Sequence, residues 1–228
     1  MLQVKHLNKN FGEFKALSEI NFEVRDEILG LIGPNGSGKT TLMESVAGLT
    51  PVQSGEIQWQ GRPASIRERS RFIFYLPDGI TPYEEDVVDR VLRFFAKTYG
   101  ADDASVNSAL NELGLKEVLS KRVGTLSKGF RKRLLLGLSL LANQPMLFLD
   151  EPFDGFDLRQ TLGVIKLLKR LKRPLFLSIH QLGDAAKICD RLILINQGKI
   201  VAQGTLEELK ALAKVSSTNL EEIFLALT

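Results

Sequence analysis

The sequence predicts an α/β fold: a mixed sheet with flanking helices, antiparallel strands at the N-terminus and an inserted α-helical subdomain. Three observations carry that expectation. Short apolar runs recur at Ile28–Ile32, Met146–Leu149, Leu175–Ile179 and Leu192–Ile195, as strands of a covered sheet do. Between residues 84 and 144 the apolar positions change to helical spacing. The run Ile28–Ile32 leads directly into Gly33-Pro34-Asn35-Gly36-Ser37-Gly38-Lys39-Thr40, which spells G-x-x-x-x-G-K-T.

Leu2–Val4, Ala16–Val24 and Ile28–Ile32 alternate with polar turns and read as the first strands. The glycine loop is followed by a helix through Thr40–Ala47. Glu56–Trp59 is a strand stopped by Gly61, and Arg71–Leu76 another, closed by Pro77. Val87, Val88, Val91, Leu92 and Phe95 then recur at helical spacing. Val106, Leu110 and Leu113 follow a cap at Asp102 or Asp103, and Leu134, Leu138 and Leu141 follow Ser127, a good N-cap. The core resumes at Met146–Leu149. A helix over Leu158–Leu171 stops near Pro174, and the strand Leu175–Ile179 ends at His180. Strands Leu192–Ile195 and Lys199–Ala202 are joined by Asn196-Gln197-Gly198. Thr205-Leu206-Glu207-Glu208 is a capping box, and a last helix spans Asn219–Leu227. The organisation predicted is one domain, with its core in residues 1–83 and 145–228 and a helical subdomain over about 84–144.

The motif Gly33–Thr40 is a phosphate-binding loop in its required setting of strand, loop and helix. Glycines let the backbone curl so that N–H groups face a polyphosphate, and the helix N-terminus adds donors and the positive dipole end. Lys39 would reach the outer phosphates, and the Thr40 hydroxyl would ligate Mg²⁺. Thr41 continues the same first turn.

Composition limits the alternatives. A chain of 228 residues with 44% hydrophobic and 25% charged residues can bury a sizeable core. The net charge of +3 is interspersed and makes no case for nucleic acid. The single cysteine, Cys189, cannot form an internal disulfide; it reads as a packed helix position and fits a reducing cytoplasm. Lys5, His6 and Lys9 interrupt any N-terminal signal sequence, and His6 has no functional setting. The longest apolar stretch, Leu134–Ala142, is far short of the about 20 residues that a membrane-spanning helix needs.

Leu126-Ser127-Lys128-Gly129-Phe130, followed by Leu147-Phe148-Leu149-Asp150-Glu151-Pro152, resembles the nucleotide-binding subunit of ABC transporters. The resemblance runs from Leu2 to the C-terminal helix and implies a P-loop NTPase core that binds ATP and Mg²⁺. It implies that Asp150 holds Mg²⁺, that Glu151 orients and activates the attacking water, and that His180 contacts the γ-phosphate. Phe11 stands where the family stacks an aromatic on adenine, although a core or turn phenylalanine would look the same. Ser127, Lys128 and Gly129 form the signature, which in the family meets the ATP of a second subunit, so a head-to-tail homodimer is implied. Asp157 matches the loop that communicates across that dimer and also reads as a helix N-cap. Lys128, Arg131, Lys132 and Arg133 read either as a solvated face or as an offset to phosphate charge. An integral membrane permease would be the other partner, with the chain cytoplasmic and peripheral on the inner face of the cell membrane.

Four positions depart from the family pattern. Asp78 replaces the usual glutamine; it can ligate Mg²⁺ but adds negative charge near the γ-phosphate. Lys128 and Phe130 replace the commoner glycine and glutamine of the signature. Asp26 stands where a turn glycine is frequent. The ending Leu220–Leu225 resembles subunits of small-molecule or drug exporters, which favours export. The competing classes are a soluble ABC-type ATPase acting on ribosomes or nucleic acid, which usually has two cassettes or a coiled-coil insertion, and a small-metabolite kinase, which lacks the signature segment.

Overall fold

The structure is a computed structural model that describes residues 1–228 except 82, 216–218 and 228. The chain forms two compact units, the first comprising Met1–Tyr75, Pro145–Glu151 and Lys172–Thr228 and the second Leu76–Gln144 and Pro152–Leu171.

In the first unit, β1 (Leu2–Phe11) and β2 (Phe14–Val24) form a long hairpin. They join β4 (Ser54–Trp59) and the two-residue β5 (Arg62–Pro63) in an antiparallel sheet of order β2-β1-β4-β5. Alternate burial along β1 gives that sheet one covered face. The second sheet has the order β10-β9-β3-β8-β7-β6 and uses β3 (Ile28–Ile32), β6 (Ile73–Leu76), β7 (Met146–Asp150), β8 (Leu175–Ser178), β9 (Arg191–Asn196) and β10 (Lys199–Gly204). Strands β9, β3, β8 and β7 run parallel, whereas β10 returns antiparallel to β9. All five residues of β7 and all four of β8 are buried, which is why both read as unbroken apolar runs. The mixed sheet that the sequence predicts is therefore present.

Helix α1 (Lys39–Ala47) places Leu42, Met43 and Val46 in the core with Phe148 and Phe176. The Phe148 and Phe176 rings meet edge-on at 4.9 Å, and Phe22 stacks on Phe176 at 5.3 Å. The short α2 (Ile66–Arg69) and β5 escape sequence reading because segments this short show no periodicity. Helix α7 (Leu182–Ile188) ends one residue before Cys189, so the expected helical position of that cysteine is corrected. Asp190 exchanges bonds with Ile28, its N–H donating to the Ile28 carbonyl and its carboxylate accepting the Ile28 N–H. That pairing turns the chain into β9. The Cys189 sulfur then packs over Gly30, where a Cβ would lie 2.5 Å from it. Helix α8 (Leu206–Ala213) begins with the capping box of Thr205 and Glu208, and α9 (Leu220–Leu227) is the last element.

The second unit is helical: α3 (Val88–Tyr99), α4 (Asp103–Glu112), α5 (Lys128–Leu141) and α6 (Leu158–Lys169). Val88, Val91, Leu92 and Ala96 form the buried stripe of α3. Asp102, Ser127 and Asp157 cap α4, α5 and α6, each accepting a backbone N–H three residues on.

The β9–β10 turn braces the first unit. Gly198 donates its N–H to the Ser37 carbonyl at 2.9 Å and accepts from Ser18 at 2.8 Å. Its φ is +72°, and a Cβ there would lie 2.3 Å from the Ala16 carbonyl oxygen. Gly198→Ala should therefore cost about 3 kcal/mol of stability. Gly12→Ala, at φ +59° with nothing nearby, should cost about 1 kcal/mol. Urea denaturation of the two variants checks the difference.

Candidate active site

The parallel register sets the site. Leu31 of β3, Ser178 of β8 and Asp150 of β7 lie side by side in the sheet. The carboxyl ends of three neighbouring strands thus stop at one level, where open α/β sheets hold ligands. The chain leaves β3 into the loop 33–38 and enters α1 at Lys39.

Glycine is required in this loop for two reasons. Gly36 and Gly38 have φ of +79° and +106°, and Gly38 is the N-cap of α1. At Gly33 a Cβ would lie 2.2 Å from the Ile195 carbonyl and 2.6 Å from Ser37 Oγ, so the loop runs tight against β9. The Ser37 N–H closes the turn onto the Pro34 carbonyl at 3.2 Å, while its hydroxyl is buried with no hydrogen-bond partner.

A cavity of about 520 Å³ opens over the loop. Its floor is Asn35, Gly36, Gly38, Lys39, Thr40 and Thr41, its acidic edge is Glu151, and its apolar rim is Phe11, Phe14 and Ala16. Gly33, Pro34 and Ser37 support the floor and do not line the cavity. The Lys39 ammonium donates to the carbonyls of Gly33 (2.8 Å) and Pro34 (3.2 Å). Burial pushes its pKa down, while the Glu151 and Asp150 carboxylates act in the opposite direction. The rim aromatics sit at the tip of the β1–β2 hairpin, Phe11 52% and Phe14 66% exposed. Such exposure is unusual for phenylalanine. The Lys9 ammonium lies 4.6 Å from the Phe11 ring centroid. Sequence reading missed Phe14; the signal available was a second aromatic three residues after Phe11.

Asp150 is buried at the end of β7 and receives three hydroxyl groups. Thr40 donates to Oδ2 at 2.9 Å, Tyr75 donates to the same oxygen at 3.4 Å, and Ser178 donates to Oδ1. Glu151 has a φ of +46°, a conformation uncommon outside glycine. Its N–H is shared between the Ser178 carbonyl (3.2 Å) and the Ser178 hydroxyl (3.0 Å). Thr40 Oγ1 and Asp150 Oδ2 form a hard-oxygen pair of the kind that binds Mg²⁺ beside substrate phosphates. Among the described residues, no three His, Cys, Asp or Glu side chains converge as a metal site.

His180 is exposed just beyond β8. It does not line the cavity over the loop; it lines a different one of about 680 Å³ with α7 and with Glu221, Phe224 and Leu225 of α9.

The remaining expected residues belong to the second unit. Ser127 caps α5, with Lys128 and Gly129 in its first turn. Lys128 pairs with Asp154 at 2.8 Å and holds that carboxyl below the usual range. Asp157 caps α6. The reading of the basic run as a solvated face is corrected at Arg131 and Lys132. Arg131 donates to Thr81 Oγ1 at 2.9 Å, and Lys132, its side chain 8% exposed, donates from its ammonium to Asp78 at 2.7 Å. The negative charge of Asp78, at the position where sequence reading expected a Mg²⁺ ligand, is thus offset within its own unit.

A glycine loop cradling a helix N-terminus, a buried aspartate on the loop threonine and an aromatic rim define a nucleoside-triphosphate site of the P-loop class. Residues 17–154 match the ABC transporter family. An uncharacterized ABC transporter ATP-binding protein of Methanocaldococcus jannaschii is 33% identical, over 91% of this chain and 79% of that protein. The probable multidrug ABC transporter ATP-binding protein YbhF of Escherichia coli is 34% identical over 92% of this chain, which spans 38% of YbhF. Among solved structures, an ATP-binding subunit of an ABC transporter superposes with a TM-score of 0.89 at 28% identity, covering 100% of this chain and 99% of that one. A bacterial Atm1-family ABC exporter with ATP bound shares the fold, with a TM-score of 0.84 at 18% identity, over 97% of this chain and 41% of that one. The chain belongs to the ABC transporter family, and it is an ATP-binding protein and an ATPase of that family. Among the described residues no helix is long and apolar enough to cross a membrane.

Two outcomes check this site. ATP at a hundredfold excess over its Kd should stabilise the chain by about 2.7 kcal/mol, and Lys39→Ala should lose most of that gain in thermal melts with and without ATP. Asp78→Ala strands the buried Lys132 ammonium and should cost about 1–3 kcal/mol. Lys132→Met leaves only the more exposed carboxylate and should cost less, as denaturant titration would show.

Proposed function

We propose that this chain is the energy-coupling ATPase subunit of a transporter whose membrane-spanning permease is a separate polypeptide, with export the favoured direction. The observation that carries the ATPase reading is the Thr40–Asp150 hydroxyl–carboxylate pair, whose Thr40 lines the cavity over the phosphate loop together with Glu151.

The role proposed for each residue is the one the family resemblance implies. Lys39 exchanges the Gly33 and Pro34 carbonyls for the outer phosphate oxygens, and the loop and first-turn amides bind the rest of the polyphosphate. Phe11 stacks on the base, with Phe14 beside it. Thr40 and Asp150 would hold Mg²⁺, which when bound neutralises charge on the phosphate oxygens. Asp78 is a further candidate ligand, already partnered by Lys132. Glu151, at the edge of the cavity, orients the attacking water and takes its proton. His180 keeps the role of γ-phosphate reader on the strength of the family resemblance alone, since in this structure it lines a separate cavity. Phosphoryl transfer needs little more than this positioning and charge stabilisation.

Ser127, Lys128 and Gly129, at the start of α5, complete the pocket of a second copy of the chain, and Asp157 communicates across that contact. Two ATP molecules then close a head-to-tail homodimer, and their hydrolysis reopens it. By chain order, residues 84–144 are the inserted subdomain and residues 1–83 and 145–228 the core, although the compact units group α6 with the inserted helices. The dimer works from the cytoplasmic face of the cell membrane and has no nucleic-acid partner. Support for export comes from the C-terminal residues Leu220–Leu225 and from the likeness to YbhF, which is named for multidrug transport.

Glu151→Gln should lower kcat by at least a hundredfold while ATP binding persists. In ATP the variant should accumulate as a dimer in light scattering, and Ser127→Arg should abolish that dimer. Hydrolysis by Glu151→Gln at the parent rate would remove Glu151 from the role of base. An ATPase rate that does not depend on protein concentration and survives Ser127→Arg would remove the dimer.

A further inference from the structure

We infer that Ser178 is a positioning residue for ATP hydrolysis: its hydroxyl sets the Asp150 carboxylate and the Glu151 backbone together. The inference rests on the roles proposed for Asp150 and Glu151.

Ser178 is the last residue of β8, in the run Leu175-Phe176-Leu177-Ser178-Ile179. It is fully buried, and its neighbours along the strand are apolar. A hydroxyl there costs about 1–3 kcal/mol of desolvation unless it is hydrogen-bonded, and an apolar residue would suit the strand better. Packing alone therefore gives no reason for a serine. The parallel register supplies one, because it places Ser178 directly beside Asp150, and side chains at paired positions project to the same face.

The hydroxyl is used in both directions. It donates to Asp150 Oδ1 and accepts the Glu151 N–H at 3.0 Å, so one donor and one acceptor site are both filled. The donated bond holds one carboxylate oxygen and leaves Oδ2 turned to Thr40. The accepted bond acts on a residue in the left-handed region, where a side chain other than glycine is strained by roughly 1–2 kcal/mol. Pinning that N–H helps Glu151 keep the turn that puts it on the cavity wall. Ser178 does not line the cavity. Its effect reaches the chemistry only through Asp150 and Glu151.

The test uses two variants of equal shape in the full chain. Ser178→Thr keeps the hydroxyl and Ser178→Val replaces it with a methyl group, so any strain from the added bulk is common to both. Steady-state ATP hydrolysis should give a kcat at least tenfold higher for Thr than for Val, with the KM for ATP and the ATP-induced thermal shift equal within twofold. Equal kcat values would overturn the inference. A Val variant that loses KM and thermal shift along with kcat would also overturn it, because Ser178 would then serve the architecture of the site. Glu151→Gln, assayed alongside, separates the two levels. Parent-rate hydrolysis by that variant sinks the reading of Glu151 itself. An inactive Glu151→Gln with equal Thr and Val rates sinks only the role of Ser178.

Discussion

The interaction on which the site depends is the capture of one buried carboxylate by hydroxyl groups. Asp150 ends a strand with no exposed residue, and an unpaired carboxylate there would be expensive. Thr40, Tyr75 and Ser178 come from α1, β6 and β8, and they converge on its two oxygens. Their convergence ties the first turn after the phosphate loop to the sheet. Because Thr40 follows Lys39 directly, the orientation of the lysine depends on the same tie. Because Glu151 follows Asp150, the turn that aims the glutamate starts from a fixed point.

A second constraint lies beneath the loop. Gly33 runs against the Ile195 carbonyl, and Gly198 holds the Ser37 carbonyl from the next turn. Contacts within the protein therefore fix the loop's backbone, as electrostatic preorganisation requires of the groups that donate to a ligand. Lys39 rests on two of the loop's own carbonyls. A phosphate would replace those weak neutral acceptors with charged ones, and charge-assisted bonds are stronger. The buried ammonium, whose pKa is pushed down by desolvation, would return toward its ordinary range next to that negative charge.

The second unit resolves the departure at Asp78 locally. An aspartate in place of glutamine adds a charge, and Lys132 offsets it with an ammonium that is itself buried. The two departures from a solvated polar surface thus explain each other. Lys128, about one turn before Lys132 in the same helix, is likewise paired, with Asp154.

Much of the fold was legible because its signals are local. The apolar runs of β3, β7 and β8, the stripe of α3, and the caps at Asp102, Ser127, Asp157 and Thr205 each depend on residues only a few positions apart. The glycine motif is legible for the same reason, since its backbone angles and the following helix are set within eight residues. What the sequence could not give were relations across the sheet. That Ser178 meets Asp150 follows from the register of β7 and β8, that Gly198 braces Ser37 from the packing of one turn on another, and that Asp78 meets Lys132 from the placement of α5. Local propensity determined the elements and the identity of the phosphate loop. The tertiary structure alone decided which buried polar groups satisfy one another, because a hydrogen bond between residues far apart in the chain depends on distance and angle in space, which residue order does not encode.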